Sequence, residues 1–245
     1  MLSQIWNIAL YKPLLNILAF FVSIVPGGDV GIAVIILTIL VKTILFPLSQ
    51  KSIENQAKMN LLNPELKKIK ESGLSKEEQA KKTFELYKIH KTNPFSGCLL
   101  VLIQIPIIFA LYYVFLKGLK FDTSSLYSFI QTPANINMNF LGLFDIAKNH
   151  IIILAILAGV SQFLQAYYMP KPNVDTINSG SFQDSFTRSM NMQMKYVFPF
   201  IVAFIAYSLS GAVALYWVTS NIFAVGQQIY AKKKTQVIIG EQSKK

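Results

Sequence analysis

The sequence predicts an all-α, polytopic membrane protein with five transmembrane helices, an outer interfacial helix and a cytosolic helical hairpin. Three observations predict it. Only 14% of the 245 residues are charged while 53% are hydrophobic, and the mean hydropathy is +0.43; a soluble domain carries about 25% charged residues. The apolar residues gather in four uncharged runs: Val30–Val41 (continuing past Lys42 to Gln50), Gly97–Leu116, Ile151–Pro170 and Tyr196–Ala231. Basic residues are distributed unevenly around these runs. With the N-terminus outside, the cytosolic segments 51–95, 170–195 and 232–245 carry ten, three and five Lys or Arg, while only Lys12, Lys117, Lys120 and Lys148 lie outside. That is the asymmetry of a protein whose positive loops stay in the cytosol.

Residues 1–28 contain a twelve-residue apolar run, Leu14–Val25, interrupted by Asn16 and Ser23 and closed by Pro26-Gly27-Gly28. Twelve residues are short for a span. Met1–Tyr11 has no basic residue and no small-residue cleavage site, which argues against a cleaved signal. The segment reads as an amphipathic helix lying in the outer interface. Residues 29–50 form the first span. In the polar segment 51–95, Asn63-Pro64 reads as the start of one helix, with Leu62, Leu66 and Ile69 on a common face and Ser72-Gly73 as its end. Ser75-Lys-Glu-Glu78 has the form of a capping box opening a second helix, with Ala80, Phe84 and Tyr87 as its apolar seam. This hairpin carries ten lysines, which would attract anionic lipid or ribosomal RNA.

Residues 96–116 form the second span, 117–150 an outer loop without regular periodicity, and 151–170 the third span. Residues 171–194 are a polar cytosolic loop. The last apolar run has 36 residues, which as one helix would measure roughly 54 Å against a hydrocarbon core of about 30 Å. Leu209-Ser210-Gly211 supplies a break, giving two short spans, 195–209 and 212–231. A basic cytosolic tail, 232–245, follows.

Composition excludes several classes of function. The single cysteine, Cys98, allows no internal disulfide, and no metal cluster or cofactor site is visible. His90 and His150 stand apart, and no nucleophile–base constellation suggests an enzyme. Lys42 is the residue that asks for a function. It lies inside the first span, nine residues before Lys51, and a lysine at bilayer centre costs about 2.5–3.5 kcal/mol. Snorkelling of its stem toward the cytosol would explain it blandly. A wetted groove explains more, because polar residues recur on the other spans: Thr38 one turn before Lys42, Gln104 and Tyr112 on the second span, Ser161, Gln162 and Gln165 on the third, and Tyr216, Ser220 and Gln227 along one stripe of the fifth. Each alone could be interhelical hydrogen-bond glue. No Asp or Glu lies within a span, so Lys42 is expected to have no carboxylate partner.

Gly31–Pro47 with its intramembrane basic residue resembles the first core span of YidC insertases, the YidC/Oxa/Alb group. Asn93-Pro-Phe-Ser-Gly-Cys-Leu-Leu-Val-Leu-Ile-Gln104-Ile-Pro106-Ile-Ile-Phe-Ala-Leu-Tyr112-Tyr113 resembles that group's second core span closely. Tyr11-Lys-Pro13 resembles its outer helix, and Leu215-Tyr-Trp-Val-Thr-Ser220-Asn221 with Gln227-Gln228 its last span. The resemblance covers roughly residues 8–232. It implies a non-enzymatic insertase in a bacterial plasma membrane, N-terminus outside and C-terminus in the cytoplasm. Its groove would open to cytosol and lipid, with nascent membrane proteins and the bilayer as partners, the Sec translocon and the ribosome as further ones, and the monomer as the working unit. It also implies a core-only member, lacking the large outer domain and extra anchor of some relatives. The group commonly has arginine where this chain has Lys42; lysine keeps the charge and loses the planar fork of donors. A small transporter or channel is the competing reading, weakened by the lack of ion-coupling carboxylates.

Overall fold

The computed structural model describes residues 4, 6–93, 96–118, 121, 125–169, 189 and 192–242. Most of the expected loop 171–194 and the last three residues of the tail lie outside these. The described residues form eight α-helices and one two-stranded hairpin. A π-turn, Asn7–Tyr11, runs directly into α1, Lys12–Ile24. Together they make an apolar helix of 18 residues, longer than the twelve-residue run suggests. Leu14, Leu15, Leu18, Ala19 and Val22 turn one face of it into the core, and Phe20 and Ile24 face outward. Val25 becomes extended, and Gly27 and Gly28 take positive φ. That reversal delivers the chain to α2, Val30–Leu61.

Helix α2 has 32 residues, roughly 48 Å. The expected first span and the beginning of the cytosolic segment are therefore one helix. Lys51–Leu61 is rich in Lys, Glu, Gln and Ala, strong helix formers that let the helix continue past the polar boundary. The hairpin proper is α3, Asn63–Glu71, and α4, Lys76–Ile89, joined through Gly73 at φ 71°. The capping box forms: Ser75 Oγ accepts from the Glu78 amide, and Glu78 accepts from the Ser75 amide at 3.1 Å. The seam differs from expectation. Ala80 and Phe84 are exposed, and Gln79, Thr83, Leu86 and Tyr87 turn inward. The reason is polar: Gln79 Nε2 donates to the Leu74 and Lys70 carbonyls, rotating α4 so that this face meets the turn.

Helix α5, Ser96–Tyr113, ends in a π-turn, Val114–Gly118. Strands β1, Asn139–Phe140, and β2, Phe144–Asp145, pair antiparallel in the expected outer loop. Helix α6 is Ile152–Tyr168, and α7, Phe198–Ser208, follows a π-turn, Gln193–Val197. Leu209, extended at ψ 175°, breaks the last apolar run where the sequence suggested. Helix α8, Gly211–Gln242, then runs on through Lys232-Lys233-Lys234 into the expected tail. Gly211 is required sterically, since a Cβ there would lie 2.6 Å from Ile151 Cδ1 and 3.0 Å from Ile146 Cα.

One core joins α1, α2, α5, α6, α7 and α8, centred on Leu18, Val34, Leu37, Ala110, Leu111, Ala158, Val202 and Ala214. The loop between α5 and α6 closes one end of it by capping helix termini. The Gly211 and Ala212 amides donate to the Lys148 and Ile146 carbonyls, and the His150 amide donates to the Tyr207 carbonyl. Asp29, itself buried, caps α2: Oδ1 accepts from the Gly31 and Ile32 amides at 2.8 and 3.1 Å, and Oδ2 from the Leu141 amide at 2.8 Å. Asp29→Ala removes the cap and strands the Leu141 amide, and is expected to cost about 2 kcal/mol. Unfolding of the detergent-solubilised protein checks this, with Asp29→Asn expected to lose less.

Candidate functional site: a polar cluster around Lys42

Lys42 lies on the same stripe of α2 as Gly31, Ile35 and Thr38, twelve residues from the helix start. It is half-buried, and its Nζ donates to Gln104 Oε1 on α5 at 3.3 Å. Gln104 Nε2 in turn donates to the hydroxyl of Tyr216 on α8 at 2.6 Å. One chain of hydrogen bonds thus links three helices through the only glutamine of α5. Gln104 is suited to this place because its amide accepts from the ammonium and donates to the phenol at once. Ion pairs among the described residues join Lys67 to Glu71 and Lys148 to Asp145, and His90 lies 3.8 Å from Glu65; none of these reaches Lys42. Its charge is met by a neutral acceptor.

The other candidates divide into groups. Tyr216 is 4% exposed and Ser220, one turn on, is buried beside it on the same face of α8. Thr38 is buried above Lys42, but its hydroxyl donates to the Val34 carbonyl at 2.6 Å, so it forms wall and offers no donor. Tyr112, two turns outward of Gln104, is half-buried and packs edge-to-face on Tyr113. Gln227 stands toward the hairpin end of α2, where its Nε2 donates to Ser49 Oγ at 2.6 Å and to the Phe46 carbonyl at 3.2 Å. It ties α8 to α2 just below the lysine.

Gln162 is not brought to Lys42. Its Oε1 accepts from the Trp217 indole at 3.3 Å, and Asn221 Nδ2 donates to Ser161 Oγ at 3.1 Å. These bonds make a separate polar seam between α6 and α8, with Gln165 half-buried one turn further along α6. The split follows from helix geometry: Tyr216 and Trp217 are about 100° apart on α8 and serve two faces. Trp217 and Ser49 are the participants that the sequence did not single out. The adjacent pair of polar-tipped aromatics could have revealed Trp217; nothing marks Ser49. Near Gln227, Gln50 Oε1 and Gln228 Oε1 are buried without a hydrogen-bond partner among the described residues, which keeps this end of the cluster polar.

Chemically, the arrangement fixes one positive charge in a polar wall between apolar helices. Among the described residues no group of His, Cys, Asp and Glu could hold a metal. The α6–α8 seam is structural: Gln162→Ala and Trp217→Phe should each cost about 0.6–1.7 kcal/mol. The double variant should cost clearly less than their sum, as unfolding in a denaturing detergent titration would read.

A model of the family described as the 60Kd inner membrane protein matches residues 20–238. The membrane protein insertase YidC of Fusobacterium nucleatum subsp. nucleatum is 35% identical over 231 residues, 92% of this chain and 98% of its own length. Relatives of the same name from Pelobacter propionicus and Francisella tularensis subsp. novicida are 32% and 34% identical over 93% and 82% of this chain. These two are longer proteins, of which the chain spans 39% and 32%.

Proposed function

Since the chain belongs to the 60Kd inner membrane protein family, we propose that it is a membrane protein insertase of the YidC/Oxa/Alb type. It works in a bacterial plasma membrane on nascent membrane proteins. The observation that carries this reading is Lys42, a half-buried ammonium whose partner is the neutral Gln104 and which no described carboxylate pairs. A charge left un-neutralised among apolar helices is costly unless something uses it. An acidic client segment would use it: at an effective dielectric of about 20, a carboxylate about 4 Å from the ammonium gains about 4 kcal/mol. That offsets part of the cost of drawing a short acidic tail into the groove, with no nucleotide hydrolysis.

The five spans of this reading are the first half of α2, then α5, α6, α7 and the first half of α8, with Asn7–Ile24 in the outer interface. Helix α7 and its π-turn, 16 residues or roughly 24 Å, are shorter than a hydrocarbon core of about 30 Å. A short span thins the bilayer locally, which lowers the barrier to a polar segment. The lysine-rich α3–α4 hairpin beneath the groove receives clients, and the Sec translocon and ribosome are further partners of a monomeric core.

Two experiments test this. In proteoliposomes, Lys42→Arg should retain insertion of acidic clients, and Lys42→Ala should impair these more than neutral ones; equal insertion by Lys42→Ala would remove the charge from the mechanism. For topology, Asn60→Cys should resist an impermeant thiol reagent in intact cells and react once the cells are opened.

A further inference from the structure

The loop between α5 and α6 sorts its large side chains sharply. Leu126, Ile130, Met138 and Phe140 pack on the core, whereas Phe129, Leu141 and Leu143 are 77%, 60% and 71% exposed. The exposed three sit at two tips, and the fold holds each tip with a buried polar side chain from a helix. At the first, Asn16 of α1 donates to the Ser125 carbonyl at 3.2 Å and accepts from the Tyr127 amide at 2.6 Å. Phe129 then stacks on Tyr127 with ring centroids 5.4 Å apart. At the second, Asp29 of α2 accepts from the Leu141 amide.

The second tip is also strained. The turn between β1 and β2 is Leu141-Gly142-Leu143, and both Leu141 and Gly142 have positive φ, 52° and 72°. A bulky residue seldom occupies that region, and a hairpin in water would favour asparagine or glycine there. The charge-assisted bond from Asp29 holds the backbone in place, so the leucine side chain is presented outward against its own preference. We propose that this loop is a second membrane anchor, with Phe129, Leu141 and Leu143 inserted among the lipids at the interface nearest the start of α2.

Placement supports lipid as the occupant. The loop caps α7 and α8 through His150, Lys148 and Ile146 and pairs with the chain before α2 through Asn137 and Gly28, so it lies at the level of the helix ends. If those helices cross the bilayer, that level is the headgroup region, where apolar side chains on a rigid turn find acyl chains within reach. The inference therefore rests on the membrane-spanning reading above.

Spin labels on single cysteines in a Cys98→Ser background, in vesicles of phosphatidylcholine and phosphatidylglycerol, separate the two. Ile44, exposed midway along α2, serves as the lipid reference and Glu77, exposed in the first turn of α4, as the aqueous one. The expected result is an oxygen-to-nickel-chelate collision ratio at positions 129 and 143 close to that at 44. Ratios matching position 77 would overturn the anchor and leave the spans standing, while aqueous values at 44 as well would overturn both. Protection from both reagents would mean that protein covers the tips, and would also overturn the proposal. Should a label disturb the turn, Leu143→Trp read by acyl-chain-brominated lipids, as a difference from the unaltered chain, gives the same decision.

Discussion

Backbone groups at helix ends have no partner within their own helix, and in an apolar bundle water cannot always supply one. This requirement organises the end of the bundle at which α2 and α8 begin. Helix α2 begins on the Asp29 carboxylate, α8 on the Lys148 and Ile146 carbonyls, and the end of α7 is met by the His150 amide. Every one of these partners lies in, or is bonded to, the loop between α5 and α6. That loop is consequently a structural lid whose register is fixed by the helices it completes. Gly31 and Gly211 follow from the same closeness, since a side chain at either would collide with Phe140 or Ile151.

The α3–α4 hairpin obeys a different rule. Its helices are polar enough to end in water, so local signals decide their limits: the Ser75–Glu78 box starts α4 and Gly73 turns the chain before it. Such features are short-range and were legible in the sequence, as was the break at Leu209. The phase of α4 was not. Phe84 looks like a core residue by spacing, yet Gln79 bonds the preceding turn and swings that phenylalanine into solvent.

The candidate site shows the same division. Lys42, Gln104 and Tyr216 stood out as polar residues on apolar spans, and the fold joins them in one hydrogen-bonded chain. Gln162 stood out for the same reason but faces a different side of α8. Sequence spacing tells which residues of one helix share a face. It does not tell how neighbouring helices are rotated about their axes, and that rotation separates a residue bonded toward Lys42 from one bonded between α6 and α8. The two-residue strands escaped notice altogether, because β1 and β2 owe their order to Asp29 and Gly31 more than to strand propensity.

Helix α2 runs without a break from the loop between α5 and α6 to the α3–α4 hairpin, and its N-terminal end is pinned by Asp29 and by Phe140 against Gly31. Lys42 lies about 18 Å along the axis from that pinned end and Leu61 about 46 Å. Pro47 stands between the two, and its ring denies the helix one backbone hydrogen bond there. The charge is therefore on the anchored side of the helix's weakest turn. A bend at Pro47 would carry the hairpin with it and leave Lys42 where the loop holds it.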